Sequence, residues 1–202
     1  MPDSSDDNLL DKADLDLLFG AAHTTYRFTD EPVSDDELRA IYEHLRWAPT
    51  AQNSQPLRIA YVRTPEAKER LLRHLPEGNR PKSISAPVVA ILAADTDFHE
   101  HLPHLWPHMP AARDAFAADD ERRHLMARMN AAIQAGYFLL TARALGLSVG
   151  PMGGFDAAGV DAEFFAGTPL HAFLLVNLGH ASDDGTQPRN PRLAVEDAVT
   201  FL

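Results

Sequence analysis

The 202-residue sequence contains no cysteine. Disulfides, thiolate nucleophiles, cysteine-based zinc sites and iron–sulfur clusters are therefore excluded, and any redox chemistry must come from a bound cofactor. The sequence also lacks a run of about 18 apolar residues that could span a membrane. Its acidic start has neither the basic nor the apolar region of a signal peptide, so we expect a cytoplasmic location. We expect residues 1–8 to form a disordered tail.

Basic residues are scarce: 18 Lys and Arg stand against 29 Asp and Glu, for a net charge of −11. A chain this acidic is poorly suited to bind nucleic acid through phosphates. An anionic cofactor would need a local cluster of cations. The sequence has no G-x-G-x-x-G dinucleotide fingerprint, no nucleophile elbow and no Walker A motif. Four histidines between 99 and 108 are interrupted by prolines, so we predict no metal site there.

The apolar pattern predicts a single mixed α and β domain over residues 9–202. Ser34 and Glu37 form a capping-box signature at the start of one helix. The most informative helix begins near Asp120, carries no charge from 131 to 142, and ends at Gly146. A helix that is apolar all round is buried in a core or in a subunit interface. Helices are predicted over 11–21, 34–49, 64–75, 120–147 and 156–165, and strands over 57–63, 86–94 and 172–178.

Four polar or glycine-rich segments could carry chemistry. They cover residues 23–28, 47–56, 150–156 and 189–192. The second offers side-chain amides that suit the edge of a heterocycle. The third has adjacent glycines that allow a flat ligand close to the backbone, and the fourth has two arginines that could bind a phosphate. Taken singly, each segment is equally compatible with an ordinary turn or a solvated surface.

In this order along the chain, the four segments resemble the nitroreductase-like flavoprotein family. The most specific pieces are PVSDDEL, WAPTAQNSQP, GNRPKSISAPVVAIL and RALGLSVGPMGGFD, and the resemblance extends over residues 9–202. The sequence is most similar to the short bacterial branch that includes malonic semialdehyde reductase. The resemblance implies an α+β fold with a central, mainly antiparallel sheet, flanking helices, a long buried central helix and an interlocked homodimer.

The resemblance also implies FMN as the cofactor, bound between the subunits. His23, Thr24, Arg189 and Arg192 would hold its phosphate. The remaining residues implied at the cofactor are those of the partner-facing loop (Thr50, Asn53, Gln55), the polar residue Asn79 and the turn Pro151, Met152, Gly153 and Gly154.

Two positions depart from the family pattern. His23 stands where the family usually has Arg, which implies a weaker grip on the phosphate. Gly153 stands where many nitroreductases have Glu, which makes transfer of nitroaromatic specificity less safe.

The activity implied is ping-pong transfer of hydride from NADH or NADPH through FMN to a small carbonyl substrate such as malonic semialdehyde. A broad nitro- or quinone-reductase and a flavin-binding protein without turnover are the alternatives. Residues 95–123 are long and proline-rich, and we expect them to form a substrate lid with Trp106 and Phe116. An anionic substrate would need a cation, for which Arg113 and Arg27 are candidates.

Overall fold

The computed structural model describes residues 9–202. The tail expected at residues 1–8 lies outside the described part. Within the described residues no helix has the length and apolar character needed to cross a membrane.

Helices and strands intermix along the chain. The α-helices are α1 (Lys12–Leu15, continued by a π-helical turn Asp16–Gly20), α2 (Asp35–Leu45), α3 (Pro65–Leu72), α4 (Arg80–Ser85), α5 (Leu102–Leu105), α6 (Ala112–Ala117), α7 (Asp120–Ala144), α8 (Ala157–Phe164) and α9 (Val195–Ala198). The strands are β1 (Leu57–Val62), β2 (Val88–Asp95), β3 (Ser148–Met152) and β4 (Leu170–Gly179). Short 3₁₀ turns occupy Ala51–Asn53, Glu77–Asn79 and Phe98–His101.

The four strands form one antiparallel sheet in the order β1-β2-β4-β3. All eight residues of β2 are buried, as its continuous apolar sequence predicts for a central strand covered on both faces. The outer edge of β3 is covered by the segment before α2, where the Thr25 N–H donates to the Val149 carbonyl. Strand β1 is the other edge and has β2 as its one neighbour in the sheet.

Two apolar cores lie on the two faces of the sheet. The larger core includes α2 and α7, whose Ala131, Ala135 and Phe138 pack against the strands. The smaller core contains Leu71 of α3 and Val160 of α8. The α+β architecture with an antiparallel sheet is therefore as predicted.

The capping-box prediction is confirmed at α2. The Glu37 N–H donates to the Ser34 hydroxyl, and the Ser34 N–H donates to the Glu37 carboxylate. The Ser34 hydroxyl, which also donates to the Glu37 carboxylate at 2.7 Å, and secondarily the Ser34 N–H hold the pKa of Glu37 below its ordinary value. Gly146 has φ of 85° directly after α7, so the predicted glycine stop is also confirmed.

Two local expectations need correction. Residues 148–152 form β3, although their glycine and proline content suggested a loop. Residues 95–123 are not irregular, because they contain a 3₁₀ turn, α5 and α6. The uncharged stretch of α7, predicted to be buried in a core or in a subunit interface, is buried on one side within this chain and exposes Ile133 and Tyr137 on another.

Candidate functional site

The N-terminal and C-terminal segments meet at a pocket lined by cations. This pocket of about 330 Å³ is formed by Leu18, Phe19, Ala22, His23, Thr24, Tyr26, Arg143, Gln187, Pro188, Arg189, Asn190 and Arg192. The sequence segments that we predicted to hold a phosphate therefore lie together around one cavity. None of its lining residues is acidic, in a chain whose net charge is −11. We call this the cation pocket; it is suited to an anion.

Backbone carbonyls orient the cationic side chains of the pocket. Arg189 Nη2 donates to the carbonyls of Gly20 and Ala22, at 2.7 and 2.9 Å. Arg192 Nη1 donates to the carbonyls of Asn190 and Pro191 in its own segment, at 2.8 and 3.2 Å. Carbonyls fix these guanidinium groups without neutralising them, so their charge stays available to a ligand.

Arg143 is a pocket residue that the sequence reasoning missed. It lies in the last turn of α7, and its Nη1 is 3.4 Å from the Leu18 carbonyl that it contacts. Burial, and secondarily the charge of Arg189, lower the pKa of Arg143 below its ordinary value. Two neighbouring cations with no acid in the lining repel each other, and an anion between them would relieve the repulsion. The one feature of the sequence that could have pointed to Arg143 is that it is the first charged residue after the uncharged stretch 131–142.

The turn that follows β3 presents exposed backbone. Gly153 and Gly154 are both exposed, and a Cβ on Gly153 would meet no atom within 4 Å among the described residues. Within residues 9–202 the N–H groups of these two glycines form no hydrogen bond. Asn79 Nδ2 donates to the Gly154 carbonyl at 2.8 Å and so fixes the turn. The side of the turn toward Gly153 can therefore accept a flat ligand and offer N–H donors to it.

Beneath this turn, Met152 is the buried end of β3. The Ser83 hydroxyl and Asn177 Nδ2 lie 3.8 and 3.9 Å from its sulfur. Pro151 precedes it in the strand and is partly exposed. Packing by α4 and β4 thus gives the glycine turn a rigid base.

Lys82 contacts a residue that lines the cation pocket. It lies on α4, one turn after Asn79, and its Nζ is 5.4 Å from the ring centroid of Tyr26, which lines the pocket. Burial lowers the pKa of Lys82 below its ordinary value. The sequence reasoning missed this lysine, because nothing in its local pattern distinguishes it from a solvated surface charge.

The loop of Thr50, Asn53 and Gln55 is held by its own side chains. The Gln55 N–H donates to Thr50 Oγ1 at 3.2 Å, and Gln55 Nε2 donates to Asn53 Oδ1 at 2.8 Å. Asn53 Nδ2 donates to the Leu105 carbonyl at 2.9 Å. The loop precedes β1 whereas the glycine turn follows β3, at the opposite edge of the sheet. Three strand spacings separate these edges, about 14 Å, so one chain does not bring the loop to the turn.

The two lid residues have different environments. Trp106 follows α5 and is partly buried against the larger core. Phe116 is 1% exposed and makes an edge contact with Phe98, with ring centroids 5.2 Å apart. Phe116 is therefore a core residue, and its expected place on a substrate-facing surface is wrong. The buried apolar residues of α6, Ala112 and Phe116, are one helical turn apart, and so short a pattern does not reveal from sequence alone which side of the helix faces the core.

Neither arginine considered for an anionic substrate is free of partners. Arg113 Nη2 donates to Glu100 at 2.7 Å and its Nη1 donates to Asp114 at 2.8 Å. Arg27 pairs with Asp184. These carboxylates already neutralise the charges that a substrate would use.

Known proteins share both this sequence and this fold. The nitroreductase family model matches residues 21–180. A Streptomyces coelicolor protein, provisionally named an NADH dehydrogenase/NAD(P)H nitroreductase, is 55% identical over 184 residues, which are 91% of each chain. The chain belongs to the nitroreductase family. The cation pocket takes His23 and Thr24 from the start of the matched region and residues within 187–192 from the segment beyond its end.

Solved structures share the fold. A Bacillus subtilis protein provisionally assigned as a nitroreductase superimposes with a TM-score of 0.81 at 21% identity, covering 94% of this chain and 99% of its own. An Exiguobacterium sibiricum protein, provisionally assigned as a nitroreductase and crystallised in complex with FMN, gives a TM-score of 0.80 at 18% identity. That match covers 96% of this chain and 98% of the other.

Proposed function

We propose that residues 9–202 form one FMN-binding domain of an NAD(P)H-dependent oxidoreductase. The observation that carries the proposal is the cation pocket, which collects Arg143, Arg189 and Arg192 without an acidic residue in its lining. A phosphate monoester suits such a pocket, because guanidinium groups bind its oxygens with charge-assisted hydrogen bonds. Membership of the nitroreductase family and the FMN complex of the Exiguobacterium protein support FMN as the ligand.

The residues of the site fit the two ends of FMN. His23, Thr24 and the three arginines of the pocket would hold the phosphate. The exposed turn Gly153–Gly154 would hold the ring system, and Lys82 beside Tyr26 would add a further cation near the pocket. When bound, FMN would supply the redox chemistry, which is to accept a hydride from NADH or NADPH and to donate that hydride to a second substrate. The two glycine N–H groups would donate to the ring edge and stabilise negative charge there.

We further propose that the active form is a homodimer. Leu125, Met129, Ile133 and Tyr137 recur every fourth residue on α7 and form an exposed apolar stripe. We call this the α7 stripe; it extends over about 18 Å. An apolar surface of this kind marks an interaction site. Pairing of two stripes would also supply the loop of Thr50, Asn53 and Gln55, which the same chain cannot place against its own glycine turn.

The C-terminal segment gives the dimer a second contact. Residues 193–202 are exposed and carry apolar side chains together with Glu196 and Asp197. A mostly apolar groove of about 570 Å³ lies beside edge strand β1, with Arg39, Arg58, Arg63, His101 and His104 in its lining and one acidic residue, Asp35. We propose that this segment of one subunit lies in the groove of the other, since both surfaces are mostly apolar and an unpaired strand edge is a ready partner for another chain.

A small carbonyl compound such as malonic semialdehyde is the substrate that we propose first, on the resemblance to that branch. A nitro or quinone substrate is the second candidate. The names of the curated relatives favour it, as does the neutralisation of Arg27 and Arg113 by carboxylates. A substrate panel with malonic semialdehyde, a nitroaromatic and a quinone distinguishes the two by kcat/KM. The cytoplasmic location stays a prediction.

The first experiment is the visible absorption spectrum of the purified protein, followed by anaerobic addition of NADH or NADPH. We expect flavin bands that bleach on addition, because bound FMN takes hydride from the nicotinamide. Steady-state kinetics should then give parallel double-reciprocal lines, as ping-pong transfer requires. Flavin bands that never bleach, with either nucleotide, would favour a flavin-binding protein without turnover. A protein that stays colourless after FMN is supplied would contradict the proposed function.

A further inference from the structure

The loop from Thr50 to Pro56 has a strained backbone. Gln52, Asn53 and Gln55 have φ values of 58°, 50° and 43°, and they are the non-glycine residues with positive φ in the part of the chain that the structure describes. L-residues rarely adopt this left-handed conformation unless their surroundings impose it, and such strain concentrates at functional sites. Because none of the three is glycine, other residues must hold the loop in place.

Two buried amides of α7 provide the anchors. Asn130 Oδ1 accepts from the Ala51 N–H at 2.7 Å, near the start of the loop. Gln134 Oε1 accepts from the Leu57 N–H at 3.0 Å, just after its end. Asn130 is fully buried and Gln134 is 2% exposed, and they lie one helical turn apart. Buried polar side chains of this kind persist where each hydrogen bond is satisfied.

Arg58 holds the same loop from the sheet side. Its Nη1 donates to the Gln55 carbonyl at 2.9 Å, and its Nη2 pairs with the buried carboxylate of Asp95 at 2.6 Å. The loop is therefore fixed at both ends and beside its last strained residue. This arrangement is a preorganised surface rather than a mobile connection.

The same helix carries the anchors on one side and the α7 stripe on another. Asn130 and Gln134 directly follow Met129 and Ile133 of the stripe in sequence, so a rigid helix fixes the loop relative to the surface that would meet the partner subunit. We propose that Asn130 and Gln134 are positioning residues, which hold the Thr50–Pro56 loop in its left-handed form so that it completes the flavin site of the partner subunit. This inference rests on the proposed FMN site.

The test replaces Gln134 with an apolar residue of similar length, Gln134→Met. Two readouts are made on the full-length protein: hydrogen exchange of residues 51–57 without flavin, and FMN affinity by fluorescence titration. We expect exchange of the loop to become about tenfold faster and FMN to bind about tenfold more weakly, since one buried hydrogen bond is lost. Gln134→Glu keeps the acceptor oxygen and should restore both within about threefold. Asn130→Leu gives the second variant should Gln134→Met not fold.

Phe138→Leu is the matched control, because Phe138 is fully buried on the same helix one turn further on and packs in the core. It should change neither readout. Faster loop exchange with unchanged FMN affinity would overturn the positioning role, and so would an equal loss of affinity in Phe138→Leu. If the unmodified protein takes up no FMN, the proposed function itself fails. Exchange in the flavin-free variants would then still show whether Gln134 holds the loop.

Discussion

At the scale of single residues, Arg143 decides how the cation pocket works. Its guanidinium is partly buried, faces Arg189 and has no acid in the pocket lining to balance it. Burial of a charge without a partner lowers the stability of the folded chain. The pocket therefore keeps an arrangement that is unfavourable until an anion binds, which is typical of a binding site rather than of a structural ion pair.

Replacing Arg143 with Met should weaken FMN binding at least tenfold, because a hydrogen bond to a charged group contributes about 1.5–3 kcal/mol. Riboflavin lacks the phosphate, so its affinity should change little. Fluorescence titration with both ligands measures the difference, and Arg27→Met is the control because Arg27 pairs with Asp184 outside the pocket lining. Thermal stability of the flavin-free variant should stay equal or rise. An equal loss of affinity for FMN and riboflavin would contradict a phosphate-binding role for Arg143.

At the scale of elements, the sequence predicts those whose signals are local. The continuous apolar run of β2 predicts this strand, and the capping box of Ser34 and Glu37 predicts the start of α2. Strand β3 was missed because Gly150 and Pro151 disfavour a strand by propensity. It forms because it pairs with β4. Glycine is required at position 150 because a Cβ there would collide with the Thr25 carbonyl.

The residues of the candidate site likewise divide into those with a local sequence signal and those without one. The sequence located the segments around the cation pocket and the glycine turn, since the family motifs mark them. It did not locate Asn130 and Gln134, whose hydrogen-bond partners lie 79 and 77 residues away. Nor did it locate Arg143, whose role depends on Arg189 from the far end of the chain. Such contacts arise only when distant segments fold together.

The segment between β2 and α7 provides a test at this scale, because the two residues expected in the lid, Trp106 and Phe116, differ in burial. Phe116→Ala should lower the free energy of unfolding by about 3–5 kcal/mol through loss of a core side chain. Trp106→Ala should instead change KM for the second substrate with little loss of bound flavin, since Trp106 adjoins the carbonyl of Leu105 that holds Asn53. Urea denaturation and steady-state kinetics measure the two effects. Unchanged kinetics in Trp106→Ala would exclude a lid role for this residue.

At the scale of the whole molecule, the two parts of the proposed flavin site lie at opposite edges of the sheet of one chain. The cation pocket and the glycine turn lie toward the β3 edge of the sheet, whereas the strained loop lies at the β1 edge. The α7 stripe, in turn, is apolar surface that one chain leaves in water. The symmetric dimer that we propose would solve both problems together, because an isologous interface would bury two identical stripes and bring each loop to the other subunit.

Ile133, in the middle of the α7 stripe, tests this coupling. Ile133→Glu would place a carboxylate from each subunit in a desolvated, self-paired interface, where like charges repel and lose hydration. We expect light scattering to give the mass of one chain and FMN affinity to fall with it, whereas Ile133→Leu, which keeps the position apolar, should remain dimeric and bind FMN normally. A dimeric Ile133→Glu protein would exclude the α7 stripe from the interface. A monomeric variant with unchanged FMN affinity would mean that one chain holds the flavin without the partner's loop, and the strain at Gln52, Asn53 and Gln55 would then need another explanation.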